Sequence, residues 1–279
     1  MKSTNEPIRS LQNPQVKEWA ALQTKKGRDR ADAYLIEGAH LVTEALTHGA
    51  DVTNVMFVPG SSAAAEAERA CAAIDDGRVG AVPWIPVAEQ VMAKITDAET
   101  PQGVAAVVRK RTASLEALFD GRPLASFVAV DAVQDPGNLG TIVRSADAAG
   151  ASAVLVGIGS ADPYNPKTIR ATMGSLFHIP IVLCDLRAAL PAARARGINV
   201  VATSLEARRS CYEASLGGPV CFLLGNEGAG VSPDLQALAD ETVIIPMRGA
   251  AESLNVAMAG TILLFEALRQ REFGGRANR

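Results

Sequence analysis

The sequence predicts an α/β protein with two domains. Short apolar stretches alternate with helix-like stretches along most of its 279 residues, and this alternation predicts a mostly parallel sheet with helices on both faces. Apolar residues make up 48% of the chain and aromatic residues only 4%, so alanine and aliphatic side chains must fill the cores. A polar stretch after Arg109-Lys110-Arg111 predicts a first domain at 1–112, a linker at 113–122 and a second domain at 123–279.

The first domain is predicted to be a small α/β unit. A predicted helix at 39–48 ends at Gly49, and a predicted strand at 54–58 ends at the turn Pro59-Gly60. The other predicted elements are helices at 14–22 and 63–74 and strands at 34–36, 81–85 and 103–108.

The second domain repeats this alternation more strongly. Its predicted strands are 127–130, 153–156, 180–183, 199–202, 220–224 and 243–245. Parallel sheets of this kind bind ligands where loops leave the carboxyl ends of the strands. Residues that directly follow these strands are therefore the candidates for a functional site.

Composition and charge exclude several classes of protein. No apolar stretch resembles a signal peptide or approaches the roughly 18 residues that a membrane span needs. The four cysteines are scattered without metal-ligand spacing, which favours free thiols and a cytoplasmic location. The net charge of -3 does not by itself indicate a nucleic-acid partner. A local cluster is either a solvated face or an RNA-binding surface, and it comprises Lys25, Lys26, Arg28 and Arg30.

The first motif, DAVQDPGNLGTIVRSADAAG, comes directly after the strand at 127–130. Asp135-Pro136-Gly137 predicts a turn, Asn138 can cap the next helix, and that helix is predicted from Thr141 to Ala149. Arg144 comes six residues after Asn138, so both side chains can face one crevice. Taken alone, the pattern fits a capping asparagine and a surface arginine equally well.

The second motif, LLGNEGAGVS, contains a tight glycine turn after the strand at 220–224. Its glycines do not match the order of a dinucleotide-binding fingerprint. Glu227 at its centre would be repelled by a phosphate about 4 Å away by roughly 4 kcal/mol at an effective dielectric constant of about 20. The turn therefore suits a nucleoside with free hydroxyls, or a cationic ligand, better than a pyrophosphate.

The third motif, IPMRGAAESLNVAMAGTILLFEALRQR, runs from a strand end into a long helix. Glu252 and Ser253 are predicted to open this helix, which places Ser253 and Asn255 in its first turn near free N–H groups. Taken alone, the pattern is also typical of a well-capped core helix.

Together the three motifs resemble those of the SpoU (TrmH-like) RNA 2′-O-ribose methyltransferases, a family of the SPOUT class, over residues 126–271. Asp135-Pro136-x-Asn138-x-Gly140-x-x-x-Arg144 is similar to the family's first motif, and Leu224-Gly225-Asn226-Glu227-Gly228 to its second. Ile245-Pro246-Met247 through Ser253-Leu254-Asn255-Val256 is similar to the third. The segment IRATMGSLFHIP also resembles the family, with Thr172 where serine is expected. The stretches QNPQVK and YLIEGAHLV resemble, more loosely, its N-terminal substrate-binding domain.

This resemblance implies a deep trefoil knot in the catalytic domain and a small α/β RNA-binding domain before it. It implies S-adenosyl-L-methionine as the methyl donor, a homodimer formed by the knotted region and the C-terminal helix, no metal and no membrane. S-adenosyl-L-methionine carries a positive sulfonium and no phosphate, so it would not be repelled by Glu227. Glu227 is expected to brace the active-site loops. The implied cofactor-binding residues are Thr203, Ser204, Leu205, Leu224, Gly225, Asn226, Ile245, Met247 and Leu254.

Methyl transfer to a ribose 2′-hydroxyl requires in-line approach to the methyl group and removal of one proton. Arg144 is either a base assisted by an RNA phosphate, or it orients the hydroxyl and clamps that phosphate. A guanidinium stays charged in proteins, so its chemistry favours the second role. Asn138 is expected to orient Arg144 or the ribose. The resemblance implies as catalytic residues Arg144, Asn138, Glu227, Ser253 and Asn255.

The expected substrate is 23S ribosomal RNA, with tRNA as the alternative. A nucleotide-dependent dehydrogenase is disfavoured because the dinucleotide fingerprint is missing. A non-catalytic RNA-binding ribosomal factor with the same fold is a further alternative. The joint presence of the five catalytic candidates argues against it.

Overall fold

The protein forms two compact units in its computed structural model. Unit 1 contains the chain up to Arg111 together with Tyr164–Phe177, and unit 2 contains Thr112–Pro163 and the chain from His178 onward. The residues that the structure describes are 6–73, 82–111, 113–119 and 126–274. Parts of three predictions lie outside them, namely the end of the helix at 63–74, the start of the strand at 81–85 and residues 120–122 of the linker.

Unit 1 is built on a four-stranded mixed sheet. Its strands are β1 (Ala33–Glu37), β2 (Val52–Phe57), β3 (Trp84–Pro86) and β4 (Val104–Arg109). Their order is β1-β4-β2-β3, with β4 antiparallel to both of its neighbours and β2 parallel to β3. The helices, numbered in chain order, are α1 (Pro14–Ala21), α2 (Lys25–Ala31), α3 (Ala39–Thr47), α4 (Ser62–Ala72), α5 (Glu89–Ile95) and α8 (Pro166–Thr172).

The segment 164–177 is part of the core of unit 1, although the predicted boundary assigns it to the second domain. Tyr164, Ile169 and Phe177 are buried in the same cluster as Tyr34. The rings of Tyr34 and Tyr164 lie 4.7 Å apart, and Lys110 Nζ lies 5.3 Å from the centre of the Tyr164 ring. The chain thus returns to unit 1 after it has entered unit 2.

The cationic segment Lys25–Ala31 forms α2, which the sequence analysis did not predict because Gly27 lies at its centre. The Thr24 side chain caps this helix by accepting from Gly27 N at 3.1 Å. Arg28 is only 2% exposed, and its Nη1 donates to the carbonyls of Leu22 and Gln23, each at 2.9 Å. The prediction that Arg28 binds RNA is therefore wrong, because the helix turns this side chain back into the protein.

The remaining cations of α2 are exposed, but only part of their charge is available. Lys25 Nζ lies 2.7 Å from Asp29, which also accepts from Lys110 Nζ at 2.8 Å. These hydrogen bonds, from Lys110 first and Lys25 second, lower the pKa of Asp29 to about 2. Lys26 and Arg30 have no ion pair within the part of the chain that the structure describes.

Replacing Arg28 by methionine is expected to lower the free energy of unfolding by about 2 to 4 kcal/mol, since two carbonyls lose their charged donor in a buried place. Urea unfolding followed by circular dichroism measures this loss. Lys26→Met in the same helix is the control and should stay within about 0.5 kcal/mol of the parent protein. Equal losses in the two variants would show that the Arg28 hydrogen bonds contribute nothing to stability.

Unit 2 is built on a seven-stranded sheet in which every recorded strand pair is parallel. The strands are β5 (Ser126–Val130), β6 (Ala153–Gly157), β7 (Ile181–Cys184), β8 (Asn199–Thr203), β9 (Arg209–Ser210), β10 (Val220–Leu224) and β11 (Glu241–Ile244). Their order is β7-β6-β5-β10-β8-β11-β9. The helices are α6 (Leu115–Phe119), α7 (Pro136–Ala148), α9 (Leu186–Arg194), α10 (Pro233–Gln236) and α11 (Val256–Phe273).

Helices cover both faces of this sheet, as predicted. Leu223 of β10 packs in a core cluster with Leu190 of α9. The next residue, Leu224, points to the opposite face. There a Cβ added to Gly260 of α11 would lie 2.7 Å from Leu224 Cδ1. The six predicted strands are all confirmed to within two residues, whereas β9 was not predicted. The trefoil knot stays a prediction.

No helix among the described residues is long and apolar enough to cross a membrane.

Candidate active site at the carboxyl ends of the parallel strands

The first and second motifs come after neighbouring strands and are joined by hydrogen bonds. Leu224 at the end of β10 lies in register with Val130 at the end of β5, and Asp131 N donates to Leu224 O at 2.8 Å. Asp131 also accepts from Ser232 N at 2.8 Å. Asn226 Nδ2 donates to Ala132 O at 2.8 Å. The two loops therefore hold each other through main-chain and side-chain contacts.

Glu227 lies at the centre of this junction. Its carboxylate accepts from the backbone N–H groups of Gln134 at 3.1 Å and Asp135 at 3.0 Å, and from Asn138 Nδ2 at 2.9 Å. Burial acts to raise the pKa of Glu227, but the hydrogen bonds from Asn138 and the two amides outweigh it and lower the pKa below its usual value. A carboxylate in the glycine turn thus meets the N–H groups of the neighbouring loop before α7.

The third motif joins the first through a pair of asparagines. Asn255 is the N-cap of α11, where its Oδ1 accepts from Ala257 N at 2.9 Å and Met258 N at 3.3 Å. Its Nδ2 donates to Asn138 Oδ1 at 2.9 Å. Asn255, Asn138 and Glu227 therefore form one hydrogen-bonded chain across all three motifs.

Two predicted helix starts need correction. The helix of the third motif begins at Val256, so Ser253 lies in the preceding loop, exposed and without a hydrogen-bond partner in the described chain. The helix of the first motif begins at Pro136, and its cap is Asp135, which accepts from Asn138 N at 2.9 Å. Asp135 occupies the capping position three residues ahead of Asn138, which frees the Asn138 side chain for Glu227 and Asn255.

Arg144 is exposed on α7, two turns beyond Asn138. Six residues advance about 9 Å along a helix and end about 120° away around it. The guanidinium forms no hydrogen bond or ion pair with any residue that the structure describes. The next residue, Ser145, contacts Thr261 of α11 through their hydroxyls at 2.7 Å. Arg144 is thus an unengaged cation on a helix that α11 holds in place.

The turn of the second motif has room only for glycine at its start. A Cβ added to Gly225 would lie 2.0 Å from the carbonyl carbon of Gly230. Asn226 and Gly230 exchange two backbone hydrogen bonds of 2.9 Å, and Asn226 Oδ1 accepts from the N–H groups of Gly228 and Ala229. The Asn226 side chain is therefore used to build the turn.

The predicted cofactor-binding residues lie at one edge of the sheet. Thr203 at the end of β8 is in register with Val243 of β11, and Ala202 with Leu223 of β10. The loops after these three strands therefore leave the sheet side by side. Their side chains differ in exposure: Leu224 and Gly225 are buried, Thr203, Ser204, Ile245 and Met247 are half-buried, and Leu205 and Leu254 are 62% and 39% exposed.

These loops suit S-adenosylmethionine in their chemistry. They offer backbone polar groups next to exposed aliphatic side chains, which fit an adenosine with an uncharged ribose. The one carboxylate of the turn, Glu227, is already bonded to three N–H donors. The turn after β10, residues 225–232, contains no cation that could bind a phosphate, in keeping with a ligand that carries a positive sulfonium.

Family comparison agrees with this geometry. Residues 125–265 match the SpoU rRNA Methylase family, and residues 13–106 match the MRM3-like substrate binding domain. The chain belongs to the SpoU rRNA methylase family. The predicted family and the predicted enzyme class, an RNA ribose 2′-O-methyltransferase, are confirmed.

This SpoU methylase is similar to full-length relatives. It is 38% identical to the 23S rRNA (guanosine(2553)-2′-O)-methyltransferase RlmP of Bacillus subtilis, over 92% of this chain and 97% of that protein. It is 32% identical to the 23S rRNA (uridine(2479)-2′-O)-methyltransferase of Streptomyces viridochromogenes, over 95% and 93% of the two chains. The AdoMet-bound rRNA methyltransferase from Sinorhizobium meliloti shares 36% identity and a TM-score of 0.83, over 96% of this chain and 98% of that chain.

Sequence reasoning missed several residues of the candidate site. Asp131, Gln134 and Ser232 join the loops, and Ala132 has a positive φ of 53°, which is unusual for a residue with a side chain. Asp131 had a signal, since a carboxylate directly after a buried strand points to a function at the strand end. The roles of Gln134 and Ala132 depend on the turn geometry, and the sequence contains no signal for them.

Replacing Glu227 by glutamine is expected to lower the free energy of unfolding by on the order of 1 kcal/mol near neutral pH. The carboxylate has a lowered pKa in the folded protein, so its stabilisation is complete above its usual value of 4.5 and is lost as the pH falls through the folded value. The difference in free energy of unfolding between the parent protein and Glu227→Gln should therefore become smaller below pH 4.5.

Urea unfolding at a series of pH values measures this difference. Glu252→Gln, at an exposed carboxylate of the same unit, is the control and should differ from the parent protein by the same small amount at every pH. A Glu227→Gln difference that does not change with pH would contradict the three hydrogen bonds as the source of the stabilisation.

Proposed function

We propose that this SpoU methylase transfers the methyl group of S-adenosylmethionine to a ribose 2′-hydroxyl of 23S ribosomal RNA in the cytoplasm. The observation that carries the proposal is the chain Asn255–Asn138–Glu227, which joins the three strand-end loops at one edge of the parallel sheet. The relatives support the choice of ribosomal RNA over tRNA, because two relatives that match more than 90% of both chains are named as 23S rRNA methyltransferases. The same relationship supports the trefoil knot and the homodimer.

The loops after β8, β10 and β11 hold the cofactor. Thr203, Ser204, Leu205, Gly225, Ile245 and Met247 present backbone groups and aliphatic surface to it, with Leu224, Asn226 and Leu254 shaping the walls. When bound, S-adenosylmethionine supplies an electrophilic methyl group on a sulfonium. Glu227 acts by fixing the loop before α7, and its three donors keep it occupied.

Arg144 and the two asparagines act on the acceptor. The 2′-oxygen must approach the methyl group in line, and this orientation supplies a large part of the rate gain. Arg144 holds the adjacent phosphate and the hydroxyl by charge and by its planar set of donors. Asn138, held by Glu227 and Asn255, fixes the loop against which the ribose lies, and Ser253 remains free in its loop to contact it.

RNA recognition belongs to unit 1, which contains the substrate-binding match. Lys25, Lys26 and Arg30 are exposed on α2 and can reach phosphates, whereas Arg28 cannot. Each phosphate contact to single-stranded RNA contributes about 0.7 to the slope of log affinity against log salt concentration. Two or three such contacts therefore add a slope of about 1.4 to 2.1.

Two measurements test the function. Calorimetric titration of the full chain with S-adenosylmethionine should show saturable binding, which a non-catalytic RNA-binding factor lacks. Mapping of 2′-O-methyl groups on 23S ribosomal RNA incubated with enzyme and cofactor should show one new modified nucleotide, absent with Arg144→Ala. Methylation of tRNA without any modification of ribosomal RNA would overturn the choice of substrate.

A further inference from the structure

An exposed aromatic ring lies beside the cofactor loops and has no part in the chemistry described above. Tyr212 is 56% exposed, whereas the other tyrosines of the described chain, Tyr34 and Tyr164, are buried. The Tyr212 hydroxyl forms no hydrogen bond with any residue that the structure describes. Because the ring contributes neither to a core nor to a hydrogen bond, it is available to a partner.

The position of Tyr212 follows from the register of β9 and β11. Ser210 at the end of β9 pairs with Ile244 at the end of β11, and Cys211 N donates to Ile244 O at 2.9 Å. Tyr212 therefore leaves the sheet beside Pro246, which belongs to one of the candidate cofactor loops. Since β9 is the last strand of the sheet, the ring lies at the outer side of these loops.

The backbone around Tyr212 is held in place. Cys211 before it and Ala214 after it are both buried. Tyr212 N donates to Ser210 Oγ at 3.2 Å, and Gln270 Nε2 of α11 donates to Ala214 O at 3.0 Å. The ring therefore extends from a fixed point. A tyrosine loses little conformational freedom when it binds, because only two side-chain torsions must be ordered.

An unpaired base of the RNA substrate is the partner that fits this ring. The acceptor nucleotide must come to the cofactor loops, so the RNA strand lies over this edge of the sheet during the reaction. Proteins recognise unpaired RNA bases by stacking them on aromatic side chains. The cofactor fits less well, because β9 lies beyond β8, β10 and β11, whose loops are the candidates for its site.

The loop after β11 adds a cation beside the ring. Arg248 is exposed and forms no hydrogen bond or ion pair with any described residue. It comes two residues after Pro246, which is at most about 7 Å of chain, so it can meet the phosphate next to a base on Tyr212. Glu252 in the same loop is also exposed, so the loop is close to neutral. The ring must therefore supply most of the affinity at this place.

We propose that Tyr212 stacks on one unpaired base of the RNA substrate beside the acceptor nucleotide, with Arg248 on the phosphate next to that base. The proposal rests on the proposed function, since it takes RNA as the substrate. Stacking accepts any base, so this contact orients the RNA strand and does not select its sequence. It gives unit 2 a contact with RNA that does not depend on the cations of α2.

Fluorescence polarisation with the full chain tests the stacking. The probes are a labelled uridine tract of about 15 nucleotides and a tract of equal length made of abasic ribose phosphates. Tyr212→Leu keeps an apolar side chain but removes the ring. It should weaken binding of the uridine tract by about fivefold or more and leave binding of the abasic tract unchanged. Tyr212→Phe keeps a ring and should bind both tracts like the parent protein.

The salt dependence separates the ring from the cation. Stacking involves no phosphate, so Tyr212→Leu should keep the parent slope of log affinity against log salt concentration. Arg248→Met should lower this slope by about 0.7. Arg187→Met, at an exposed arginine of unit 2 that pairs with Asp234, is the matched control and should keep the slope.

Three results would overturn the proposal. The first is a Tyr212→Leu variant that binds the uridine tract as tightly as the parent protein does. The second is an equal loss of S-adenosylmethionine affinity in calorimetry, which would assign the ring to the cofactor. The third is a change from dimer to monomer in light scattering, which would assign the ring to a second copy of the chain. The melting temperature should stay near that of the parent protein, because the ring is exposed.

The outcome is separable from that of the proposed function. A parent protein that methylates 23S ribosomal RNA, with a Tyr212→Leu variant that binds RNA normally, removes the stacking proposal alone. A parent protein that needs the Tyr212 ring for the uridine tract but does not bind S-adenosylmethionine removes the proposed function and leaves an RNA-binding contact.

Discussion

Replacing Arg144 by alanine is expected to lower the turnover number of methyl transfer by about two orders of magnitude or more. The affinity for S-adenosylmethionine should change by less than about twofold. The reason is position: Arg144 lies on α7, exposed and bonded to nothing in the described chain, whereas the candidate cofactor loops come after β8, β10 and β11. Single-turnover kinetics with saturating RNA, paired with calorimetry of cofactor binding, measures both quantities.

A lysine at position 144 separates the two roles considered for the arginine. Lysine keeps the positive charge but lacks the planar pair of donors, and it gives up its proton more readily. If Arg144 clamps the phosphate and the hydroxyl, Arg144→Lys should have a low turnover number that depends little on pH. If Arg144 is a base, the turnover number of Arg144→Lys should rise with pH. Arg187→Ala, at an exposed arginine of unit 2 that pairs with Asp234, is the control and should keep full activity. Comparable losses of cofactor affinity and of rate in Arg144→Ala would contradict the assignment to the acceptor.

The strands of unit 2 could be predicted because each is an apolar run flanked by turn residues, and that pattern is local. The partners of the site residues could not be predicted. Asn138 and Glu227 are 89 positions apart in the chain, and Asn138 and Asn255 are 117 apart. Their contacts depend on the order β5-β10-β8-β11, which the hydrophobic pattern does not determine. The motifs indicated that these residues act together, and only the strand order shows how.

Arg28 and the segment 164–177 were assigned incorrectly for a related reason. A charged residue among charged neighbours is usually solvated. Whether Arg28 is buried depends on which face of α2 turns inward, and α2 itself was not predicted because Gly27 lies at its centre. Likewise, the apolar residues of α8 fit a helix on either unit, and nothing local shows that Ile169 packs beside Tyr34. In both cases the tertiary contact outweighs the local pattern.

The second large expected effect is the loss of a homodimer when the exposed face of α11 is changed. Met258 and Phe265 are 49% and 44% exposed, and half-buried Ile262 lies between them. Positions 258, 262 and 265 fall on one stripe of a helix, and an apolar stripe that the monomer leaves open is typical of an interface. We expect a second copy of the chain to cover this stripe, because the family resemblance places the C-terminal helix in a homodimer and a symmetric pair buries the same face twice.

Replacing both Met258 and Phe265 by glutamate is expected to turn a dimer into a monomer at micromolar concentration, because the interface would bury four unpaired carboxylates. Methyl transfer should fall by about tenfold or more if the acceptor site needs both copies. Light scattering coupled to gel filtration measures the mass, and melting curves verify that the variant folds. Leu183→Glu, at a 61% exposed leucine of β7, is the matched control and should remain dimeric. A parent protein that is monomeric and fully active at micromolar concentration would show that the stripe serves another partner.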